Sequence, residues 1–209
     1  MNEILRQPLS GLPKPSGTSP PVSTQAADGL PRRAWTGEEV QRMIEAGIVQ
    51  HGERFELIGG ELVAMAAKGN HHETLKVSLN FFWVKQAPRE VMVASETPLR
   101  LDTYNEPEPE FIVYPRGMKP GDVRGDTVLL VVEIADTSLP IDHNIKAPLY
   151  AHFGVREYWV VNARSLVTTV YREPSPSGYA SKHEISGDEL LSPMLAPSLA
   201  VRLADLDHE

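Results

Sequence analysis

Apolar residues recur along the first half of the chain at spacings that predict two helices and a hairpin. Residues 36–46 open with a Thr-x-x-Glu capping box and carry apolar positions on one helical face, which predicts a first helix. The segment FELIGGELVAM, residues 55–65, predicts two short strands joined by a turn at its two glycines. A second helix is predicted from about residue 71 to 86, because Leu75, Leu79 and Phe82 recur at helical spacing and form a buried stripe.

Beyond Pro88 the pattern changes to short apolar runs that predict strands. These runs are VMVA, TPLRL, FIVY and VLLVVEIA, and the last is suited to a central strand buried on both faces. Asp142 is predicted to cap a third helix over about residues 142–153, which ends at Gly154. EYWVVN and LVTTVYR then predict a hairpin. This order of elements indicates an α/β or α+β sandwich with a mixed sheet at its centre.

The first part of the chain has a different composition. Residues 1–31 are rich in Pro, Ser, Gly and Thr and contain few large apolar residues, so they are predicted to form a disordered tail. The alternative is a recognition segment, since PKPSGTSPP suits the polyproline II conformation. The ordered domain is predicted to span residues 32–209.

Composition narrows the class of protein. The chain has 209 residues, of which 41% are hydrophobic, enough for one sizeable core. It lacks an apolar run of membrane-spanning length, and MNEILRQPLSGLPKP lacks the apolar region of a secretory signal. The absence of cysteine excludes disulfides, thiolate metal sites and a cysteine nucleophile. A cytoplasmic protein without a membrane segment is expected.

The net charge of −8 affects how readily the chain can bind nucleic acid. Non-specific affinity for nucleic acid rests largely on Lys and Arg, so an acidic chain needs a local basic rim or bound cations to approach DNA. The same acidity suits a site that gathers metal ions.

Two carboxylates stand out. Glu133 interrupts the apolar run of residues 128–135, where a buried carboxylate is costly unless it is paired, protonated or bound to a metal. The alternatives for it are a buried salt bridge or a strand end that faces solvent. Glu110 follows Pro109 at a loop–strand junction, where it is either a ligand or an exposed loop charge.

The predicted third helix carries Asp142, Lys146 and Tyr150 at intervals of four residues, so the three share one face. One interpretation is that Asp142 and Lys146 form an exposed ion pair. The other is that they belong to a catalytic site, because the helix could return Lys146 toward Glu133. A lysine there could orient a water molecule and stabilise developing charge on a phosphate.

Two further residues are weaker candidates. Glu56 lies between apolar neighbours in the predicted hairpin, where it is either an exposed strand residue or a ligand. His72 points inward with the apolar stripe of the second helix, and it is a hydrogen-bonded core residue, a metal ligand, a donor that orients the site or a general base. The chain contains no HExxH motif, no phosphate-binding loop of Walker type and no GxSxG motif.

Several of these segments follow one another in a familiar order: ERFELIGGEL, PEPEFIVY, LLVVEIADTS, DHNIKAPLY and GVREYWVVN. Over about residues 32–207 the chain resembles the Uma-type "putative restriction endonuclease" family of the PD-(D/E)xK nuclease-like superfamily. The resemblance implies a restriction-endonuclease-like core, with a central mixed β-sheet flanked by helices. It also implies a metal-dependent endonuclease that hydrolyses DNA phosphodiester bonds, with acidic residues on neighbouring strands that bind Mg²⁺ or Mn²⁺.

The resemblance assigns roles residue by residue. Glu110 corresponds to the first motif acid, Glu133 to the second, and Lys146 to a motif lysine displaced from the strand onto the following helix. The catalytic residues that the resemblance implies are Glu110, Glu133, Lys146, Glu56 and His72. Of these, Glu110, Glu133 and Glu56 are the implied metal ligands. Asp142 and Tyr150 match supporting positions.

Two positions depart from the family and superfamily patterns. Glu110 stands where the family usually has aspartate, and its extra methylene moves the carboxylate by more than ~1 Å, which matters where productive geometry is tight. Ala135 stands where the superfamily has its lysine, two residues after the second acid, so Lys146 has to reach the site from the helix.

Two alternative functions remain open. The chain is a catalytically weak or inactive protein of nuclease fold that binds nucleic acid or a protein partner, or a different metal-dependent hydrolase with Glu56, His72 and Glu133 as ligands. A homodimer is left open, because two sites related by a twofold axis match the symmetry of duplex DNA.

Overall fold

The computed structural model describes residues 23–25, 31–50, 52–65 and 67–207. The chain forms two compact units, one of residues 1–65 and 100–108, the other of residues 66–99 and 109–209. Each unit is described separately.

The first unit is built from two short antiparallel strand pairs and a helix. Strand β1 (Ser23–Gln25) pairs with β2 (Pro31–Arg33), helix α1 spans Gly37–Glu45, and β3 (Phe55–Ile58) pairs with β4 (Glu61–Ala64). The capping box is present, because Thr36 accepts a hydrogen bond from the Glu39 backbone and Glu39 accepts one from the Thr36 backbone. The first predicted helix and the hairpin are therefore confirmed.

The predicted tail, residues 1–31, falls mostly outside the described residues. Of it the structure describes 23–25 and 31, which take part in the β1–β2 pairing. The proposed boundary at residue 32 stays a prediction.

The second unit contains a mixed sheet and one long helix. Helix α2 spans Asn70–Gln86, and among the described residues the sheet has six strands in the order β10-β9-β8-β7-β6-β5. The strands are β5 (Val91–Ser95), β6 (Phe111–Pro115), β7 (Leu130–Ala135), β8 (Glu157–Asn162), β9 (Thr168–Ser175) and β10 (Gly178–Ile185). Only β7 and β8 run parallel; the other neighbouring pairs are antiparallel. The predicted mixed sheet is thus confirmed.

A helical crossover joins the two parallel strands, as such a pair requires. It consists of α3 (Leu139–Ile141), a π-helical turn (Asp142–Lys146) and α4 (Ala147–His152), called here the interrupted helix. The prediction that Asp142 caps this helix is wrong, because the helix begins at Leu139 and places Asp142 inside the π turn. Gly154 follows the end of the helix with φ 78°, as the predicted stop requires.

The core of the second unit lies between α2 and one face of the sheet. Leu75 and Leu79 of the predicted stripe are buried along one side of the helix, together with Trp83, whereas Phe82, the third predicted member, is only partly buried. The Trp83 indole donates a 2.8 Å hydrogen bond to the Leu199 carbonyl, so a short 3-10 turn, Pro197–Leu199, closes over the helix. Two other 3-10 turns are Pro120–Asp122 and Leu203–Asp205.

Two strand predictions differ from the structure. TPLRL, residues 97–101, forms no strand, because β5 ends at Ser95 and Glu96 adopts a positive φ of 47°. Strand β10 was not predicted; it is an edge strand of the sheet, half of its residues are polar and none is buried. The hairpin predicted from EYWVVN and LVTTVYR is confirmed as β8 and β9.

Among the residues described, none of the helices has both the length and the apolar character needed to cross a membrane.

Candidate active site

Glu133 lies in the middle of β7, with neighbouring strands on both sides and 4% of its surface exposed. The Lys146 ammonium donates a 2.9 Å hydrogen bond to Glu133 Oε1, and the Tyr150 hydroxyl donates one of 3.2 Å to the same oxygen. The interrupted helix therefore returns both side chains to the strand that precedes it. A strand end facing solvent is excluded for Glu133.

The π turn holds the lysine in a closed environment. Lys146 Nζ lies 3.9 Å from Asp142 Oδ1, and both residues are buried, which excludes an exposed ion pair. Asp142 accepts a 2.6 Å hydrogen bond from the Ser138 hydroxyl on its Oδ2, and its carbonyl accepts one of 3.2 Å from the Tyr158 hydroxyl. Burial raises the pKa of Tyr158 well above its ordinary value, with the Asp142 carboxylate next in effect, so the hydroxyl stays a donor.

Glu110, just before β6, is the second buried carboxylate. His72 Nε2 lies 2.9 Å from its Oε1, and the Lys68 ammonium donates a 2.9 Å hydrogen bond to its Oε2. Burial acts to raise the pKa of Glu110, but these hydrogen bonds outweigh it and hold the pKa below its ordinary value. The exposed-loop alternative is therefore excluded, and His72 faces a carboxylate rather than the apolar core alone.

The ladder between β6 and β7 relates the two carboxylates. Phe111 pairs with Val132 in this antiparallel ladder, so extending the register by one residue places Glu110 opposite Glu133. Residues opposite each other on neighbouring strands point to the same face, with Cβ atoms ~4.5–5.5 Å apart. Glu110 itself lies in a bend just before β6, so the last paired residues, Phe111 and Val132, bring the two acids to the same end of the ladder, each with its own cationic partner.

Sequence reasoning missed Lys68 and Glu96. Lys68 Nζ contacts Glu96 Oε1 as well as Glu110, and Lys76 donates a 3.1 Å hydrogen bond to the same Glu96 oxygen. The hydrogen bond from Lys68 outweighs the effect of burial and, with Lys76, lowers the pKa of Glu96 to about 2. Neither residue carries a periodic signal, because Lys68 precedes α2 and Glu96 follows β5.

Glu56 belongs to the first unit, where it lies on β3 and is 5% exposed. Its Oε1 accepts a 2.8 Å hydrogen bond from the Glu108 backbone. It is therefore not the exposed strand residue that was the alternative, and its role as a ligand stays a prediction.

The carboxylate oxygens of Glu110 and Glu133 are ligands that suit a hard cation. Two carboxylates do not, however, supply a complete set of protein ligands. Within the described ranges, no group of three or more His, Asp or Glu side chains is arranged to hold a metal ion. Mg²⁺ is, however, commonly bound by one or two carboxylates, with water and substrate phosphate as the other ligands. The two buried carboxylates fit that mode of binding.

A mixed sheet with paired acids on neighbouring strands and a lysine returned by the following helix defines an α+β protein of nuclease-like architecture. Residues 38–204 match the sequence profile of the Uma2 family, described as "Putative restriction endonuclease", and the chain belongs to this family.

Its fold is similar to a solved structure from Anabaena variabilis, described as "a putative nuclease belonging to DUF820". The TM-score is 0.60 and the sequence identity 15%, over 81% of this chain and 96% of that one, so the likeness concerns the fold. Comparison with curated protein sequences gives no match.

Proposed function

We propose that this protein is a metal-dependent endonuclease that hydrolyses phosphodiester bonds in DNA. The observation that carries the proposal is the pair of buried carboxylates, Glu110 just before β6 and Glu133 on the neighbouring strand β7, with Lys146 bonded to the second. The family to which the chain belongs supports a nuclease in general terms, and DNA and the metal are parts of the proposal.

Glu110 and Glu133 would hold Mg²⁺ or Mn²⁺. Such a cation, when bound, supplies charge neutralisation at the phosphate and an activated water. The neighbouring side chains set the geometry of the carboxylates, because His72 holds Glu110 Oε1 while Lys146 and Tyr150 hold Glu133 Oε1.

Lys146 is the proposed electrostatic residue. An ammonium group has three donors, and one of them is directed to Glu133 in this structure. Another can orient the attacking water and stabilise the negative charge that develops on the phosphate. In a buried site this contribution is larger than in water, so loss of Lys146 should lower the cleavage rate by about 10²–10³-fold.

His72 is proposed to orient Glu110, with assistance in proton transfer as its second role. Glu56 is proposed as a further ligand on the strength of the family resemblance. A homodimer acting on both strands of a duplex stays a proposal of the same kind.

Cleavage of supercoiled and linear DNA tests the proposal. The purified protein is assayed with Mg²⁺ or Mn²⁺ and with EDTA, beside the folded variants Glu133→Gln and Lys146→Ala. Cutting that needs the metal and is lost in Glu133→Gln supports the site, while undiminished cutting by Lys146→Ala would remove that residue from the mechanism.

A second function is favoured by a specific observation. Both oxygens of Glu110 are engaged by His72 and Lys68, and the net charge of −8 opposes non-specific DNA binding. The alternative protein binds nucleic acid or a protein partner without cutting. It predicts weak or absent binding of divalent cations by a folded core, so a measured affinity that is lost in Glu133→Gln would count against it.

A further inference from the structure

Both carboxylate oxygens of Glu110 have protein partners, and one of these partners is the Lys68 ammonium. This ammonium lies 2.9 Å from Glu110 Oε2, and the other oxygen, Oε1, is engaged by His72. The side chain of Lys68 is 11% exposed and that of Glu110 is 7% exposed, so solvent screens this contact only weakly. A divalent cation that binds Glu110 therefore has to compete with a protein cation already in place.

Glu96 holds Lys68 in this position. It contacts Lys68 Nζ through the oxygen that also accepts a 3.1 Å hydrogen bond from Lys76. Glu96 has a φ of 47°, in the left-handed region that non-glycine residues rarely adopt. Its backbone N–H donates a 3.1 Å hydrogen bond to the Glu110 carbonyl, and this bond fixes the Glu96 backbone beside Glu110.

The charges around Glu110 form a network in which Lys68 and Lys76 have different roles. Lys76 bonds to Glu96 and to Glu73, and Glu73 in turn contacts His72 Nδ1. Lys68 bonds to Glu96 and to Glu110. The two lysines therefore share one carboxylate partner and have similar exposure, 11% and 13%, but only Lys68 has a contact with Glu110.

The length of the Glu110 side chain allows the contact. Glutamate carries one methylene more than aspartate, so an aspartate at position 110 would withdraw the carboxylate by more than ~1 Å. Such a withdrawal takes the 2.9 Å contact with Lys68 beyond hydrogen-bonding distance. The Lys68 contact therefore depends on the length of the glutamate at this position.

We propose that Lys68, held by Glu96, is a built-in cation of Glu110 that occupies Oε2 in the metal-free protein and is displaced when Mg²⁺ or Mn²⁺ binds. The inference rests on the metal site of the proposed function. It predicts that the protein requires a higher concentration of divalent cation than the carboxylates alone would.

The experiment is isothermal titration of Mn²⁺ into the wild-type protein and the Lys68→Met and Lys76→Met variants. A hydrogen bond between charged groups contributes enough that its removal should lower the Kd of Lys68→Met by about tenfold or more. Lys76→Met removes the same charge from the same carboxylate partner without touching Glu110, so its Kd should stay within about threefold of the wild type. Lys68→Gln, which keeps a polar side chain, serves as a second variant if Lys68→Met fails to fold.

A double-mutant cycle with Glu110→Asp tests the length argument. Because the shortened carboxylate does not reach Lys68, the effect of Lys68→Met on Kd should fall below about threefold in that background. An equal effect in both backgrounds would contradict a direct contact.

Two results overturn the proposal: a Kd for Lys68→Met equal to or weaker than that of the wild type, and an absence of Mn²⁺ binding in both proteins. These outcomes do not depend on cleavage. If Lys68→Met binds Mn²⁺ more tightly but neither protein cuts DNA, the proposal for Lys68 is supported and the proposed nuclease activity is contradicted.

Discussion

Replacement of Lys146 with methionine removes one half of a buried ion pair and keeps most of the side-chain volume. The side chains of Lys146 and Glu133 are 7% and 5% exposed and are joined by a 2.9 Å contact. Removal of one partner from such a pair costs about 3–5 kcal/mol, because the other charge stays buried without compensation. Tyr150 still donates to Glu133, so we expect the lower end, about 3 kcal/mol.

The assay is urea unfolding at pH 7, followed by circular dichroism, together with a thermal scan. For a chain of this length, about 3 kcal/mol corresponds to a decrease in Tm of roughly 6–12 °C. Lys119→Met, at an exposed position, serves as the control and should change the free energy of unfolding by less than ~0.5 kcal/mol. The double variant Lys146→Met/Glu133→Gln should cost less than the sum of the two single variants, because the pair is lost only once.

A change below ~0.5 kcal/mol for Lys146→Met would refute the buried pair. This loss of stability also bears on the cleavage assay of Lys146→Ala, which removes the same ion pair. Activity of such a variant therefore has to be compared at a temperature where it is folded.

Two further predictions concern stability. The pKa of Glu96 lies at about 2, below its ordinary value, so its contribution to folding is present above pH ~4.5 and is lost as the pH falls toward 2. Urea unfolding between pH 6 and pH 2.5 should show a shallower decline for Glu96→Gln than for the wild type, and equal slopes would count against this contribution. A methyl group added at Gly125 would overlap the carbonyl of Phe153, so Gly125→Ala should destabilise the protein by about 1–3 kcal/mol. Gly121→Ala, which meets no neighbouring atom within 4 Å, should be close to neutral, and similar Tm values for the two variants would contradict the packing at Gly125.

The elements that sequence predicts well are those whose pattern arises from burial. The apolar stripe of α2 and the continuous run of β7 both lie in the core, where periodicity reflects contact with the sheet. Strand β10 was missed for the opposite reason: it lies at the edge of the sheet with no buried residue, so it carries no pattern from burial and is defined by its pairing with β9.

The candidate site divides in the same way. Spacing alone places Lys146 and Tyr150 on one helix face, and both contact Glu133 in the structure, although a π turn precedes Tyr150. The contacts of Lys68 and Glu96 with each other depend on how β5 and the start of α2 meet in space, which local spacing does not encode.

The central claim is that Glu133 belongs to a metal-dependent site for DNA cleavage and is not merely a buried structural charge. The most direct measurement is the rate of nicking of supercoiled DNA in Mg²⁺ by the wild type, Glu133→Gln and Glu157→Gln, each shown to be folded. Glu157 is a fully buried carboxylate on the adjacent strand β8, but its partners are Arg172, Trp159 and the Met194 backbone. The account predicts nicking that is lost in Glu133→Gln and kept in Glu157→Gln, whereas equal rates for both variants, or no nicking by the wild type, would contradict it.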